Sequence, residues 1–405
     1  MVIKDVGNSG APIDVSRRTL NVSINEKIDA TSSASVSMKG LLITHALDDI
    51  SVRYGSGVLF DGLIEEQSDS LRSGIKLSVW RCKDASMRLT KRVVNKRYTS
   101  KKVEDIIADL LASYPCGISG NHVAATNVTI EEITFPYRSL LECIKQLAEI
   151  TGYRWYIDAD RDLHFFNVDE GVGSTVFSTT IEGGLSQNIA AESIKLKTFT
   201  DERTANRVWV IGAKEPANTY VEQAYTGDGM NDLYPVALEP NYPEVFEDGV
   251  SKTVEVDRGN VSTKDWVYDK QNRVFRRVGG NLPASTALLL RYRPTRQVID
   301  YFEDSASIAT FGIYEKAITD KTIKEKLAAR SRGRAELRRR SSAKRTLSFD
   351  TIIGQDTDVR RGLRYRIVIP EIDIDSMWLC TGVSTTITAP DHVNIRKTVE
   401  FEEVA

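Results

Sequence analysis

At 405 residues the chain exceeds the size at which one hydrophobic core keeps growing, so several domains are expected. Its 54 Lys and Arg nearly balance 56 Asp and Glu, which excludes a surface given over as a whole to nucleic acid. A hydrophobic content of 41% is that of a soluble globular chain, and no stretch is apolar enough for a membrane anchor or, at Met1–Asp5, for a secretory signal.

Residues 13–82 read as short strands. Leu20, Val22 and Ile24 alternate with polar residues, as do Ala34, Val36 and Met38, and the runs around Val52, Gly62 and Ile75–Trp80 follow after polar turns. The period then changes. Val103, Ile106, Ile107, Leu110 and Leu111 recur at helical spacing, stopped by Pro115. Ser139 and Glu142 form a capping box for a second helix, with Leu140, Ile144 and Leu147 as its stripe and Gly152 as its stop. Tyr153–Ile157 and Leu163–Phe166 are two strands around an Asp-rich turn. Strands return at Ile194–Lys197 and Asn206–Ile211, and residues 215–295 form another β unit, with strands near 252–256, 266–268, 273–275 and 288–292. A basic helix is expected over 320–340, with Asp320 as N-cap, and residues 346–404 are again strands.

One pattern occurs twice. Gly62 sits inside Leu59–Ile64 and is followed by the strand beginning at Ile75; Gly382 sits inside Trp378–Val383 and is followed, at the same offset, by the strand beginning at Ile395. Glycine weakens a strand, so it marks a bulge or a close backbone approach. A weaker echo joins Arg18–Val22 to Arg345–Phe349. Together these predict a duplicated β module.

The segment Ser139–Asp158, running through Thr151-Gly152-Tyr153 into Trp155-Tyr156-Ile157-Asp158 and on to Leu163-His164-Phe165, resembles the tail hub proteins of long-tailed bacteriophages. Phe60–Glu65, Arg92–Tyr98 and Gly312–Glu315 resemble that family too, in the expected order. The resemblance implies a mainly β fold with α+β inserts: two similar tail-tube-like β-barrel domains interrupted by smaller domains. The first barrel is expected at 1–98, a small α/β insert at 99–180, the second barrel at 181–214 plus 315–405, and a β-rich insert at 215–314. It also implies a homotrimer, a pseudo-sixfold ring at the tail tip or baseplate of the virion, assembled in the bacterial host cytoplasm. Its partners would be the tail tube and distal tail proteins, the tape measure protein and a tip fibre or spike, with DNA passing through the lumen without specific binding. The last strand pattern begins close to the chain's end, so no appended enzymatic or fibre domain is expected.

No catalytic, cofactor or metal site is expected. His45, His122, His164 and His392 are isolated, and no phosphate-cradling or dinucleotide loop occurs. Asp158, Asp160 and Asp162 open like a calcium loop, but Leu163 replaces the required glycine, so a hairpin turn is the reading. Glu65-Glu66, Glu131-Glu132 and Glu402-Glu403 point to opposite strand faces and cannot converge on one bond. Cys82, Cys116, Cys143 and Cys380 are spaced as buried thiols.

The strongest charge feature is the basic run from Lys321 to Arg345, which marks Arg330, Arg334, Arg338, Arg339 and Arg340 as candidate interface residues. Three readings stand: a contact with acidic surface on a neighbouring subunit, a solvated face, or DNA backbone. The acidic stretch 215–257 is the candidate counterpart. Two other functions compete with a structural hub. A cell-wall-degrading enzyme needs converging acid and base groups, and a receptor- or carbohydrate-binding module would use Tyr220, Tyr225, Tyr234, Tyr242 and Trp266, unless these pack in a core.

Overall fold

The structure is a computed structural model describing residues 2–6, 12–40, 48–54, 57–199, 205–259, 262–321, 323, 326–340, 344–352, 359–388 and 394–404. The chain divides into two compact units, one of Met1–Trp209, Tyr301–Lys316 and Arg330–Ala405, the other of Val210–Asp300 and Ala317–Ala329.

The first unit begins with β1 (Val2–Val6), β2 (Pro12–Asp14), β3 (Thr19–Lys27), β4 (Ser33–Lys39), β5 (Asp49–Tyr54), β6 (Gly57–Arg72) and β7 (Ile75–Asp84). Alternation sets their faces: Val22, Ile24, Ala34, Val36 and Met38 are buried while their neighbours are less so. β6 turns into β7 through Ser73 and Gly74, both left-handed (φ 50° and 77°), the geometry of a tight two-residue hairpin.

A helical insert follows: α1 (Ser86–Thr90), β8 (Val93–Lys102), α2 (Val103–Ser113), β9 (Ser119–Val123), β10 (Thr129–Ser139), α3 (Leu140–Thr151), β11 (Arg154–Ile157) and β12 (Asp162–Phe166). Helix α3 starts as its sequence requires. Ser139 Oγ accepts from the Glu142 amide at 3.3 Å, the Glu142 carboxylate accepts from the Ser139 amide at 3.0 Å, and Gly152 closes the helix at φ 77°. Its buried face joins α2 and the strands in one core with Val103, Ile106, Leu147, Trp155 and Phe165.

β13 (Val172–Ser178) and β14 (Lys195–Phe199) return to the main sheet, and β15 (Arg207–Pro216) leads into the second unit. There β16 (Val221–Thr226), β17 (Leu233–Pro235), β18 (Pro240–Glu247), β19 (Val250–Lys252), β20 (Val254–Val256), β21 (Trp266–Asp269), β22 (Val274–Arg277) and β23 (Ala287–Glu303) enclose Tyr234, Val245, Trp266, Phe275 and Tyr292. After α4 (Ser305–Phe311), β24 (Glu315–Thr319) and α5 (Lys326–Arg340), the chain finishes with β25 (Lys344–Asp350), β26 (Arg364–Ile369), β27 (Ile374–Thr388) and β28 (Asn394–Glu403). The described helix α5 is shorter than the expected 320–340. Asp320 lies in a turn, its carbonyl accepting from the Ile323 amide at 3.1 Å.

The main sheet carries the duplication in its strand order. One run reads β3-β4-β7-β6-β5 and the other β14-β25-β28-β27-β26, with every neighbouring pair antiparallel in both. The runs are joined because β27 is long: Ile374–Leu379 pairs with β26, and Gly382–Thr388 pairs with β3. Each run has its own core, one around Val36, Phe60 and Trp80, the other around Phe349, Tyr365, Trp378 and Phe401.

The glycine echo lies in corresponding strands, β6 and β27, but at different places within them. Gly62 is a close approach, where an added Cβ would meet the Lys83 carbonyl oxygen at 2.0 Å. Gly382 adjoins the bulge between Cys380 and Gly382, and its nearest such neighbour is at 3.2 Å. The weaker echo fails: Leu20 is in β3 and Leu347 in β25, whose counterpart in strand order is β4.

Candidate assembly site

Among the described residues, the structure brings together one group with metal-ligand chemistry, His122, Asp162 and His164, whose ligand atoms lie within 4.8 Å of one another. The parallel pairing of β12 with β9 sets His164 opposite His122, and the two rings stack at 4.4 Å with planes 9° apart. A metal binds in the plane of an imidazole, so two stacked rings do not aim at one ion. Each ring instead has its own carboxylate: Nδ1 of His122 meets Asp162, and Nε2 of His164 meets Asp158 at 2.9 Å. Asp158 also accepts from the Asp160 and Asp162 amides at 2.9 Å, so this carboxylate builds the hairpin turn. His45 and His392 lie outside the described residues.

Among the described side chains, the members of each carboxylate pair are answered by separate cations. Glu65 and Glu66 are both exposed at a β-bulge, a departure from the expected opposite faces, and they pair with Lys83 at 4.0 Å and Arg81 at 2.9 Å. Glu402 and Glu403 meet Arg154 and Arg345. The side chain of Glu131 lies outside the described residues. Cys82, Cys143 and Cys380 are buried and Cys116 half-buried; burial pushes the Cys143 thiol up to about 12 and raises Cys380 as well.

A buried cation missed by sequence reasoning ties the first unit together. Arg361, 5% exposed, donates to the carbonyls of Lys27 at 2.9 Å and Ile157 at 2.6 Å and to Ser32 Oγ, while its plane covers the Tyr156 ring. It thereby links the β3–β4 hairpin, β11 and the strand run that contains β26. Glu26 is its partner at 3.5 Å. In sequence, Arg360-Arg361-Gly362 reads as one more exposed basic pair, so no local signal marks it.

The basic run divides. Arg332 donates to the Glu149 carbonyl at 2.8 Å and pairs with its carboxylate at 3.0 Å, and Arg345 pairs with Glu403 and covers Trp378. Both are structural. Arg330 and Arg334 are exposed on α5, whereas the side chains of Arg338, Arg339 and Arg340 lie outside the described residues. The opposite face of α5 is held by small groups, Ala329, Gly333 and Ala335, and by Glu336, buried and paired with Lys316 at 2.7 Å.

Within the second unit the acidic stretch is largely answered from its own strands. Glu247 is buried against Arg277 at 2.8 Å, Lys252 and the Trp266 indole; Glu222 and Glu244 meet Arg291, Asp257 meets Arg276, and Glu239 meets Lys270. Of the aromatic candidates, Trp266 and Tyr234 are core residues, Tyr225 packs on that core, and Tyr220 is covered by Arg291 and Arg293. Tyr242 is 63% exposed, under the Arg293 guanidinium.

Among the described residues the main sheet ends at β14 and at β2. Among the same residues, β14 pairs only with β25, and β6 pairs with β5 as far as Leu63, with one further bond from the Ile64 amide to the Asp48 carbonyl at 2.9 Å. Unpaired backbone donors and acceptors on a long edge are a template for another strand.

No protein-family model matches the chain, and no curated protein matches it in sequence. Solved structures do. The 43 kDa tail protein of prophage MuSo2 from Shewanella oneidensis superposes with a TM-score of 0.62 at 11% identity, covering 99% of this chain and 97% of that one. The tail protein from Neisseria meningitidis MC58 gives 0.59 at 11%, covering 99% and 96%. Prophage tail protein gp18 from Listeria monocytogenes EGD-e gives 0.55 at 10%, covering 100% and 94%. With two matching strand runs, an intervening helical insert and this likeness over nearly its whole length, the chain has the fold of phage tail proteins.

Proposed function

We propose that the chain is the structural hub of a phage tail tip or baseplate. Three copies form a pseudo-sixfold ring that joins the tail tube and distal tail ring to the tip fibre or spike and surrounds the DNA channel. The observation that carries this reading is the duplicated strand order in one continuous sheet: a chain holding two equivalent modules offers sixfold-like repetition from three copies. Its work is done by contact, with no reaction, in the virion; the tape measure protein and the passing DNA occupy the lumen.

Within this reading Arg330, Arg334 and Arg338–Arg340 face a neighbouring subunit or partner ring. The internal pairing of Glu222, Glu244, Glu247 and Asp257 favours a counterpart other than the acidic stretch of the second unit. Native mass measurement of the purified full chain tests the hub reading. A trimer is expected; a monomer at all concentrations overturns it.

A further inference from the structure

The second unit carries a guanidinium that has rings around it and no carboxylate. Alternation along β23 puts Leu290 and Tyr292 in that unit's core and turns Arg291 and Arg293 to the other face of the sheet. Strand pairing brings neighbours to them from both sides. Glu222 of β16 and Glu244 of β18 stand opposite Arg291, and both pair with it, at 3.5 Å and 3.3 Å. Arg293 stands one step further along the same face. Among the described residues it has no ion-pair partner, and its Nε is buried without an acceptor.

Two tyrosines hold it instead. The Arg293 guanidinium lies 4.9 Å from the centre of the Tyr220 ring and 5.4 Å from that of Tyr242. Tyr220 immediately precedes β16, where the pairing of Val221 with Tyr292 sets it beside Arg293. Tyr242 sits in the bulge of β18 between Asn241 and Glu244. At φ 47° it takes a backbone conformation that bulky residues rarely adopt, and the residue is 63% exposed. Neither an unpaired cation nor an aromatic ring kept at the surface on strained backbone helps the unit to fold. Both are parts of a ligand site.

The chemistry of the face selects the ligand. A planar guanidinium with free donors takes a carboxylate through two parallel hydrogen bonds. The exposed Tyr242 ring offers an apolar plane with a polar tip, the partner of a sugar ring. Glu222 and Glu244, with side chains 59% and 39% exposed, keep oxygens to accept from hydroxyl groups about 6–7 Å further along the strand. The same two carboxylates repel a polyanion or a compact phosphate, whereas a ring with one carboxylate among hydroxyls meets one cation and two acceptors. We propose that Tyr242 and Arg293 bind a carboxylate-bearing saccharide, the hexuronate or sialate unit of a cell-surface glycan. The site does not depend on the hub reading.

Saturation-transfer NMR on the full chain tests it, with methyl glucuronide, the methyl glycoside of N-acetylneuraminate and the neutral methyl glucoside as probes. Transfer to the ring protons of at least one acidic sugar is expected, with the glucoside bound roughly tenfold more weakly. Tyr242→Ala is expected to weaken binding about tenfold while the melting temperature holds, since the residue is exposed. Arg293→Lys keeps the charge but loses the fork, and should weaken binding by about as much. Transfer to neither acidic sugar, equal transfer to the glucoside, or binding indifferent to Tyr242→Ala overturns the site. Tighter binding of glycerol phosphate overturns the choice of a carboxylate. A trimeric chain that binds none of the sugars overturns the site and leaves the hub reading standing.

Discussion

The Arg361 guanidinium lies 4.6 Å over the centre of the Tyr156 ring while donating to backbone carbonyls of β3 and β11. One cation thus holds two strand runs and the helical insert in register, and the half-buried Glu26 balances it at 3.5 Å. Arg361→Ala is expected to destabilise the first unit by about 3–5 kcal/mol, since it strands the Glu26 charge and leaves carbonyls without donors. Adding Glu26→Gln should recover part of that loss. Urea unfolding followed by tryptophan fluorescence measures both, and equal stability of the single and double variants would refute the coupling.

The two echoed glycines separate in the same kind of experiment. At Gly62 an alanine Cβ would lie 2.0 Å from the Lys83 carbonyl oxygen, and backbone cannot step aside cheaply. Gly62→Ala should cost about 1–3 kcal/mol or more. Gly382→Ala meets its nearest neighbours at 3.2 Å and should cost less. Similar losses at both positions would argue that the approach at Gly62 is looser than described.

Acid titration should show two opposite effects. Burial raises Glu26 above its ordinary 4.5 and Asp84 above 3.8. A raised carboxyl is held ionised against its preference at neutral pH, so its contribution to stability grows as pH falls through the folded pKa. Asp162 and Asp350 are the reverse. Burial pulls them upward, but hydrogen bonds from Ser119 and His122 to the one, and from Arg396 and Thr398 to the other, outweigh it and hold both below 3.8. Their stabilisation is present above that value and lost as pH falls through the lowered pKa. The thermal midpoint should therefore lose less, or rise, in the native chain than in Glu26→Gln as pH falls from neutral toward the ordinary 4.5 of a glutamate, and fall in both under stronger acid. Parallel profiles in the two proteins would remove Glu26 from this account.

Charge reversal tests the basic helix. Arg334→Glu should make the assembly dissociate at lower salt while the isolated chain keeps its melting temperature to within a degree or so, because the side chain is exposed. Sedimentation across a salt series reads the difference. Unchanged dissociation would place Arg334 in solvent.

Much of the scaffold was legible because burial and alternation coincide in it. Val22, Ile24, Val36 and Trp80 are core positions in strands that their own sequence predicts, and Ser139, Glu142 and Gly152 fix both ends of α3. Strands β8 and β10 escaped for a physical reason: in Val93–Lys102 only Val94 and Tyr98 are buried among charged neighbours, so the period-two signal is faint. Helix α4 escaped because it is one short turn system capped by Asp304, with no buried face to give it a stripe. The duplication was visible in the right strands but displaced, since composition aligned glycines where the backbone aligns bulges. The strand order of the main sheet was invisible altogether: which strands lie side by side is a property of main-chain pairing, and no side chain announces it.

The sharing of β27 has a consequence for how the polypeptide is made. Ile387 and the pairing of Gly382–Thr388 with β3 complete the core and the edge of a run whose other strands end at Asp84. Translation at about 5–20 residues per second leaves that slot vacant for roughly 15–60 s after β7 has left the ribosome. The amino-terminal half must therefore wait, half-finished, for a segment from the far end of the message. Nascent fragments released before Ile387 is made will display a bare β3 border and should be the species that chaperones capture or that precipitate.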